Sequence, residues 1–594
     1  MRPVRLLTID MTSCLIWLLA VSYLIGSIKV GCDSGVVVSP HPTQNLSWWQ
    51  TGVVYQIYPR SFKDSDGDGI GDIRGIISEL DYFTYLGIDC IWLSPVCRSP
   101  MKDFGYDCSD FEDIDPVFGT LDDYKTLVAE AHKRGLKILS DFESVYSSDQ
   151  HDWFQKSVRR EGKYTNYYVW EDGLLLPNGT RAPPNNWLSI FGGPAWQWND
   201  ERRQFYYHVF LKEQPDLNHR DANVRWEMLD TLRYWLDLGV DGFRLDAISA
   251  LYETGNVTLN EPPSGRNVPH DQEDFLNHTY TQNQPEVYPD VTSWHELLQE
   301  YSRKDGNERF MVIEIYEGTQ IRKKLYATGG NPFNFDLLGM SRNLTAREVF
   351  ETVMNEYDNL PPGKWPNFVL GNHDSRRISH LYGPQYVDVF NTLVLTLWGT
   401  PTTYYGEELG MLEADLRWDQ TLDPWGLFYG PSRYDEFSRD PERTPMQWTS
   451  GPQSGFTTGN TTWLPLATNY TTLNVQTEKE SSQQTSLKLY KQLVALRKKQ
   501  AFQTGEFKPA IVTDDVFSYF RSGDFETYLV VLNFRVEEVN DWSTYAGVKA
   551  TAVLVTPGVK AIQEGQEVNL QNLRLGPGEG LVLRVSTTTS PIIG

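Results

Sequence analysis

The chain is 594 residues long, more than one typical domain and enough to bury a large core; 53 Lys and Arg stand against 78 Asp and Glu, a net charge of −25. So acidic a surface excludes nucleic acid and anionic membranes as favoured partners. Aromatic residues make up 13%, with 19 Trp and 32 Tyr, a usage that fits flat sugar-stacking faces and equally a large aromatic core.

From the N-terminus, Arg2 and Arg5 precede an apolar run from Cys14 to Ile28. That is the length of a signal-peptide core and short for a membrane span. Residues 1–31 therefore read as a signal peptide, with a type II signal anchor as the alternative, and 32–47 as a linker. Seven Asn-x-Ser/Thr sequons, at Asn45, Asn178, Asn256, Asn277, Asn343, Asn460 and Asn469, favour the secretory route. The last residues, Ser586 to Gly594, carry no hydrophobic tail, so no lipid anchor is indicated. The expectation is a secreted glycoprotein, or else an anchored one with its bulk outside the cell.

Eight β-runs follow: Val53–Tyr58, Ile91–Val96, Lys137–Phe142, Gly242–Asp246, Met311–Tyr316, Phe333–Leu337, Asn367–Gly371 and Thr402–Tyr405. Helical stretches lie between them, such as Leu121–Arg134 and Val224–Leu238, with apolar residues three and four apart. Eight alternating βα units predict a (β/α)8 barrel over 48–145 and 216–502. Residues 146–215 are rich in Trp, Tyr, Asn, Gly and Pro and too long for a connecting loop, so they read as a subdomain inserted after the third strand. Ser486–Gln500 is a further helix. Beyond 503 the pattern turns to short β-runs, such as Tyr528–Asn533 and Gly580–Val585, predicting a C-terminal antiparallel β-domain over 503–594. Cys90 and Cys97 bracket one strand and cannot pair with each other. Cys97 with Cys108 across the next loop, or free buried thiols, both fit.

Three acids fall at the ends of predicted strands. Asp246 closes Gly-Phe-Arg-Leu-Asp beside Arg244, Glu314 lies in Met-Val-Ile-Glu-Ile-Tyr, and Asp374 follows Gly-Asn-His. Catalytic groups of such barrels sit at that end, and an acid inside an apolar strand is costly to bury without a role. An arginine beside Asp246 keeps it ionised, as a nucleophile requires. The apolar neighbours of Glu314 suit a raised pKa and a proton donor. Two carboxylates about 5–5.5 Å apart carry out retaining glycoside hydrolysis.

With these motifs in order, residues 48 to 590 resemble glycoside hydrolase family 13, the α-amylase family, and its insect-type maltases (α-glucosidases). The resemblance implies Asp246 as nucleophile with Arg244 its partner, Glu314 as acid/base, and Asp374, aided by His373, as the acid that grips the sugar hydroxyls. It also covers Gln214-Pro-Asp-Leu-Asn218, at the inserted subdomain's end. By resemblance, Asp103 and Tyr106 of Asp-Phe-Gly-Tyr-Asp, and Arg443, the second arginine of Arg439-Asp-Pro-Glu-Arg443, hold the terminal glucose. Ala247, after the nucleophile, goes in that family with α-1,4 linkages. The expected activity is release of glucose from the non-reducing ends of maltose, sucrose or short maltodextrins.

The segment Asp64-Ser-Asp66-Gly-Asp68-Gly-Ile70-Gly-Asp72 places hard oxygens at alternate positions with glycines for the tight turn, though Gly75 replaces the closing glutamate of an EF-hand. The resemblance implies a structural Ca2+ held by Asp64, Asp66, Asp68, Asp72 and the Ile70 carbonyl; no organic cofactor is expected.

The chain departs from the family after the third strand. Where the pattern is Asp-Phe-Val-Pro-Asn-His, it reads Asp141-Phe-Glu143-Ser-Val145-Tyr146. Asp141 is kept, and Tyr146 stands in place of the histidine that hydrogen-bonds the sugar. This departure keeps a second reading open, a catalytically impaired relative acting as a receptor or as a transporter heavy chain.

Overall fold

The computed structural model describes residue 38 and residues 46–535, 538–539 and 548–586. The leader, nearly all of the linker and the Asn45 sequon lie outside the described residues.

Eight parallel strands form the centre: β1 Val54–Ile57, β2 Cys90–Leu93, β3 Lys137–Phe142, β4 Gly242–Leu245, β5 Phe310–Ile313, β6 Asn331–Pro332, β7 Asn367–Val369 and β8 Thr400–Tyr404. They pair in the order β6-β5-β4-β3-β2-β1-β8-β7, a nearly closed barrel. Their near-continuous apolar character follows from burial on both faces. Alternation sends Val54, Cys90, Trp92, Leu139, Phe310, Val312 and Val369 into one inner plug. By the same alternation Asp141 and Arg244, partners in the β3–β4 register, share the inner face, two residues beyond Leu139 and Gly242. Gly242 has no room for a side chain, since a Cβ would lie 1.9 Å from the Phe310 carbonyl oxygen.

The sixth strand corrects the sequence reading: it is Asn331–Pro332, and the expected run Phe333–Leu337 instead leads into a 3-10 turn at Asp336–Gly339. The cause is Asn367 of β7. Its amide donates to the Pro332 carbonyl (2.6 Å) and the Asn331 side chain (3.2 Å), and its carbonyl accepts from the Asn334 N–H (2.9 Å). One side chain thus bridges β6 and β7 where no ladder forms, and bends the chain out of the sheet.

The helix Ala222–Asp237 is capped by Asp221 and buries Val224, Met228, Leu232 and Trp235 along one face. Leu121–Lys133 starts from a Thr120–Asp123 capping box. Ser486–Arg497 ends three residues before the expected Gln500. The segment after β3 forms a lobe around a three-stranded sheet, Trp170–Glu171, Gln204–Tyr207 and Trp196–Asn199. Bridges from Tyr146 to Asp216 and from Tyr168 to Leu217 join its two ends.

Six antiparallel strands form the C-terminal sheet: β9 Glu506–Val512, β10 Val516–Ser522, β11 Thr527–Asn533, β12 Lys549–Val555, β13 Glu567–Val568 and β14 Gly580–Ser586, in the order β9-β10-β11-β14-β12-β13. Cys97 and Cys108 form a disulfide, Cα atoms 5.8 Å apart, and Cys90 is a buried free thiol. Among the described residues no helix is long and apolar enough to cross a membrane.

Candidate active site

Arg244 organises the floor of the site. Its side chain is 1% exposed and lies over the Trp92 ring, 5.3 Å from the centroid. Nη1 reaches Asp141 Oδ1 at 2.7 Å and Asp246 Oδ1 at 2.6 Å, and Nη2 reaches Glu314 Oε2 at 2.7 Å. One planar fork therefore holds the carboxylates of β3, of the turn after β4 and of the turn after β5. The Ala247 N–H, in left-handed backbone (φ 46°), also donates to Glu314 Oε2 at 2.9 Å. With both donors on Oε2, Oε1 is the oxygen left to carry a proton. Burial raises the Glu314 pKa to about 8, opposed by Arg244 and assisted by Asp246 and Asp374. Burial likewise lifts Asp141 to about 7 against the pull of Arg244.

Asp374 stands apart. Burial works to raise its carboxyl, but His373, Arg439 and Arg443 outweigh it and hold it well below its ordinary value. Burial also keeps the His373 ring neutral, so the two arginines are the lasting charges. They reach Oδ1, Arg443 Nη2 at 2.9 Å and Arg439 Nη1 at 3.1 Å. The Gln56 amide donates to His373 Nδ1 at 2.8 Å. The ring proton then sits on Nε2, 2.5 Å from the Tyr106 hydroxyl and 3.1 Å from Asp374 Oδ2. Tyr106 in turn donates to Asp141 Oδ2 at 3.2 Å and stacks on His373 at 5.1 Å.

The far end of the pocket is an ion pair, and it revises the expected clamp. Asp103 Oδ1 meets Arg439 Nη2 at 2.8 Å, and Asp423 holds the same guanidinium at 2.6 Å. Arg443 lies behind, fully buried, braced on the His373 carbonyl (2.7 Å), Asp374 and Tyr58. The first arginine of the motif thus faces Asp103, and the second orients Asp374. Sequence spacing placed both in one segment but could not say which turns inward. Gln214 approaches Asp103 Oδ2 at 3.4 Å, tying the inserted lobe to this end.

These groups line a cavity of about 860 Å3. Asp103, Tyr106, Tyr146, Asp246, Glu314, His373, Asp374 and Arg439 reach it, while Asp141, Arg244 and Arg443 support it from behind. Of its aromatic wall, Phe191, Phe210, Trp425 and Tyr316, only Tyr316 falls within a motif. Phe191 and Phe210 lie in the inserted segment already noted as aromatic-rich, and the cluster of aromatics over 425–437 is the sequence signal that could have found Trp425.

Tyr146 lines the pocket and in addition makes a contact that the sequence did not show. Its hydroxyl donates to Asp246 Oδ2 at 2.8 Å, so Arg244 and Tyr146 each hold one nucleophile oxygen. Burial drives its own pKa far up, which keeps it a donor. Val145 is buried, and its carbonyl accepts from the Leu217 N–H at 2.9 Å, where the lobe's two ends meet. Burial, helped by Asp141 and Asp246, drives Glu143 far above its ordinary value, leaving a neutral acid behind the site.

In the aspartate-rich loop, the carboxylates of Asp64, Asp66 and Asp72 lie within 4.8 Å of one another. Asp68 is outside that group and accepts the Ile70 N–H at 2.7 Å.

Paired acids at the C-terminal ends of adjacent barrel strands, under a pocket with one closed end, define a glycoside-hydrolase barrel. The chain belongs to the α-amylase family: the family model "Alpha amylase, catalytic domain" matches residues 56–505. It is 43% identical to Maltase 1 of Drosophila virilis, covering 91% of this chain and 87% of that protein. It is also 37% identical to the amino acid transporter heavy chain SLC3A1 of Rattus norvegicus, covering 97% of this chain and 83% of that one. Among solved structures, the alpha-glucosyl transfer enzyme XgtA superposes with a TM-score of 0.78 at 34% identity, covering 91% of this chain and all of that one.

Proposed function

We propose that the protein is an exo-acting, retaining α-glucosidase that releases glucose from the non-reducing ends of short α-1,4-linked oligosaccharides. The observation that carries this reading is the single guanidinium of Arg244 spanning Asp246 and Glu314. That arrangement favours the short carboxylate separation of retaining enzymes, about 5–5.5 Å. Asp246 Oδ2 attacks the anomeric carbon while Glu314 gives its proton to the departing glycosidic oxygen. Water then attacks the glucosyl–Asp246 ester as Glu314 takes its proton, and two inversions give retention. Asp374, anionic between two arginines, binds sugar hydroxyls and favours the cationic transition state. The Asp103–Arg439 pair closes the pocket against a longer non-reducing end. The route of the chain would be secretory, on the strength of its leader and sequons.

Maltose hydrolysis by the purified protein, with the anomer of the released glucose read by NMR, tests this reading. Newly formed α-glucose is expected, and inert protein at every pH would sink it in favour of a heavy-chain-like binding role. Glu314 must be protonated to act as acid and is so below about 8. kcat/KM for maltose should therefore hold up to that pH and fall roughly tenfold per unit above it.

Tyr146→Phe removes a donor from a charged acceptor, a contact of about 1.5–3 kcal/mol. kcat for maltose should drop about 10- to 100-fold with KM little changed. A rise confined to KM would instead mark Tyr146 as a plain sugar contact.

The acidic loop suits a structural Ca2+, since Asp64, Asp66 and Asp72 offer hard oxygens at one point. Chelation by EDTA should lower Tm by at least about 3 °C, restored by added Ca2+. An unchanged melting curve would remove the ion from the picture.

A further inference from the structure

Of the six sequon asparagines in the described residues, Asn277 alone lines the catalytic pocket. Asn178, Asn256, Asn343 and Asn460 are exposed elsewhere on the surface. Asn277 is itself exposed, and its pocket-lining neighbours Leu276 and His278 place it on the rim. The backbone there is fixed. The Asn277 N–H donates to the Pro262 carbonyl at 2.7 Å, and Leu276 bridges to Pro263. The buried Glu261 carboxylate accepts the N–H groups of Thr279 (2.9 Å), Tyr280 (2.6 Å) and Thr281 (2.9 Å). His278 is tied to Glu273, which also lines the pocket, at 2.8 Å. Anything attached to Asn277 therefore stands on a rigid mount.

We propose that Asn277 carries an N-linked glycan that stands at the pocket mouth and limits the length of oligosaccharide the site accepts. In the modification the Asn277 Nδ2 bonds to the anomeric carbon of an oligosaccharide carried on a lipid diphosphate. The carbon–oxygen bond to the diphosphate breaks, the lipid diphosphate leaves with the bonding pair, and Nδ2 gives up one proton. A branched glycan is bulky and solvated. The pocket is closed at its far end by Asp103 and Arg439, so a long substrate has to leave its reducing end in the mouth, where the glycan stands. Maltose, occupying only the inner part, is unaffected. The chain-length consequence rests on the α-glucosidase reading; occupancy of Asn277 does not.

The test uses protein secreted from eukaryotic cells. Peptide mapping by mass spectrometry should find Asn277 glycosylated. Thr279→Ala abolishes the sequon while keeping the N–H that Glu261 holds. It should leave kcat/KM for maltose within about twofold and raise the maltoheptaose-to-maltose ratio of kcat/KM by at least about fivefold. Enzymatic deglycosylation of the native protein should reproduce that ratio and serves if the variant is poorly secreted. In an Asp246→Asn background, maltoheptaose binding followed by tryptophan fluorescence should tighten by a similar factor on glycan removal, a readout that does not need turnover. An unmodified Asn277, or a ratio and an affinity that do not move when the glycan is removed, overturns the proposal. Failure to hydrolyse maltose alongside tightened maltoheptaose binding would overturn the glucosidase reading and leave the glycan gate standing.

Discussion

Asp246→Asn should abolish maltose hydrolysis, lowering kcat by at least about 10⁴-fold, some 5 kcal/mol of lost transition-state stabilisation. The substitution is nearly isosteric, and the amide oxygen still accepts from Arg244 Nη1 or the Tyr146 hydroxyl, which hold the two carboxylate oxygens at 2.6 and 2.8 Å. What it removes is the anion that forms the glucosyl ester. Folding should survive, so circular dichroism and sugar binding stay near wild type while turnover disappears. A second variant separates a missing nucleophile from a disturbed pocket. Asp246→Gly opens a hole on the attacking face, and azide supplied with an activated aryl α-glucoside should fill it and yield β-glucosyl azide. That product carries the single inversion expected when an external anion replaces the carboxylate and no ester forms. Asp246→Asn retaining more than about 1% of wild-type turnover would move the nucleophile elsewhere.

The barrel and its acids were legible because parallel strands leave a plain trace: short apolar runs, evenly alternating with helices, in which any charge stands out. Asp246, Glu314 and Asp374 are such charges, and all three line the same cavity. β6 was misplaced because it is two residues long and carries a proline; its position depends on the Asn367 side chain from 33 or more residues away. The Arg439–Arg443 choice escaped for a related reason. Both lie around one 3-10 turn, and which faces Asp103 depends on Asp423, a partner 16 residues upstream of Arg439. Tyr146 was recognised as a departure, yet its partner could not be named, because β3 and β4 meet across 100 residues. In each case the residue type was readable and the long-range neighbour that sets its role was not.

Arg244→Met should cost both stability and activity. Methionine fills similar volume against Trp92 but leaves Asp141, Asp246 and Glu314 crowded, buried and without their shared cation. A complete buried ion network can often be replaced by apolar residues without loss, whereas removal of one partner strands the others at about 3–5 kcal/mol. At pH 7 Glu314 is already protonated and Asp141 about half so, and chemical denaturation there should report a loss within that range. The pH dependence has a definite sign. Asp141 and Glu314 are already raised to about 7 and 8 with the arginine present. Without it, folded-state proton affinity rises further, so the folded protein binds more protons than the unfolded chain and the deficit shrinks as pH falls towards 5. Asp246 and Glu314 also lose the guanidinium that fixes their relative position, and kcat should drop by at least about 10³-fold at pH 7. Arg244→Lys restores a charge but not the fork: one ammonium cannot hold Asp246 and Glu314 in a fixed relative position. It should recover much of the stability and little of the rate. Full activity in Arg244→Lys would mean that charge alone, rather than the guanidinium's span between the two acids, sets up the site.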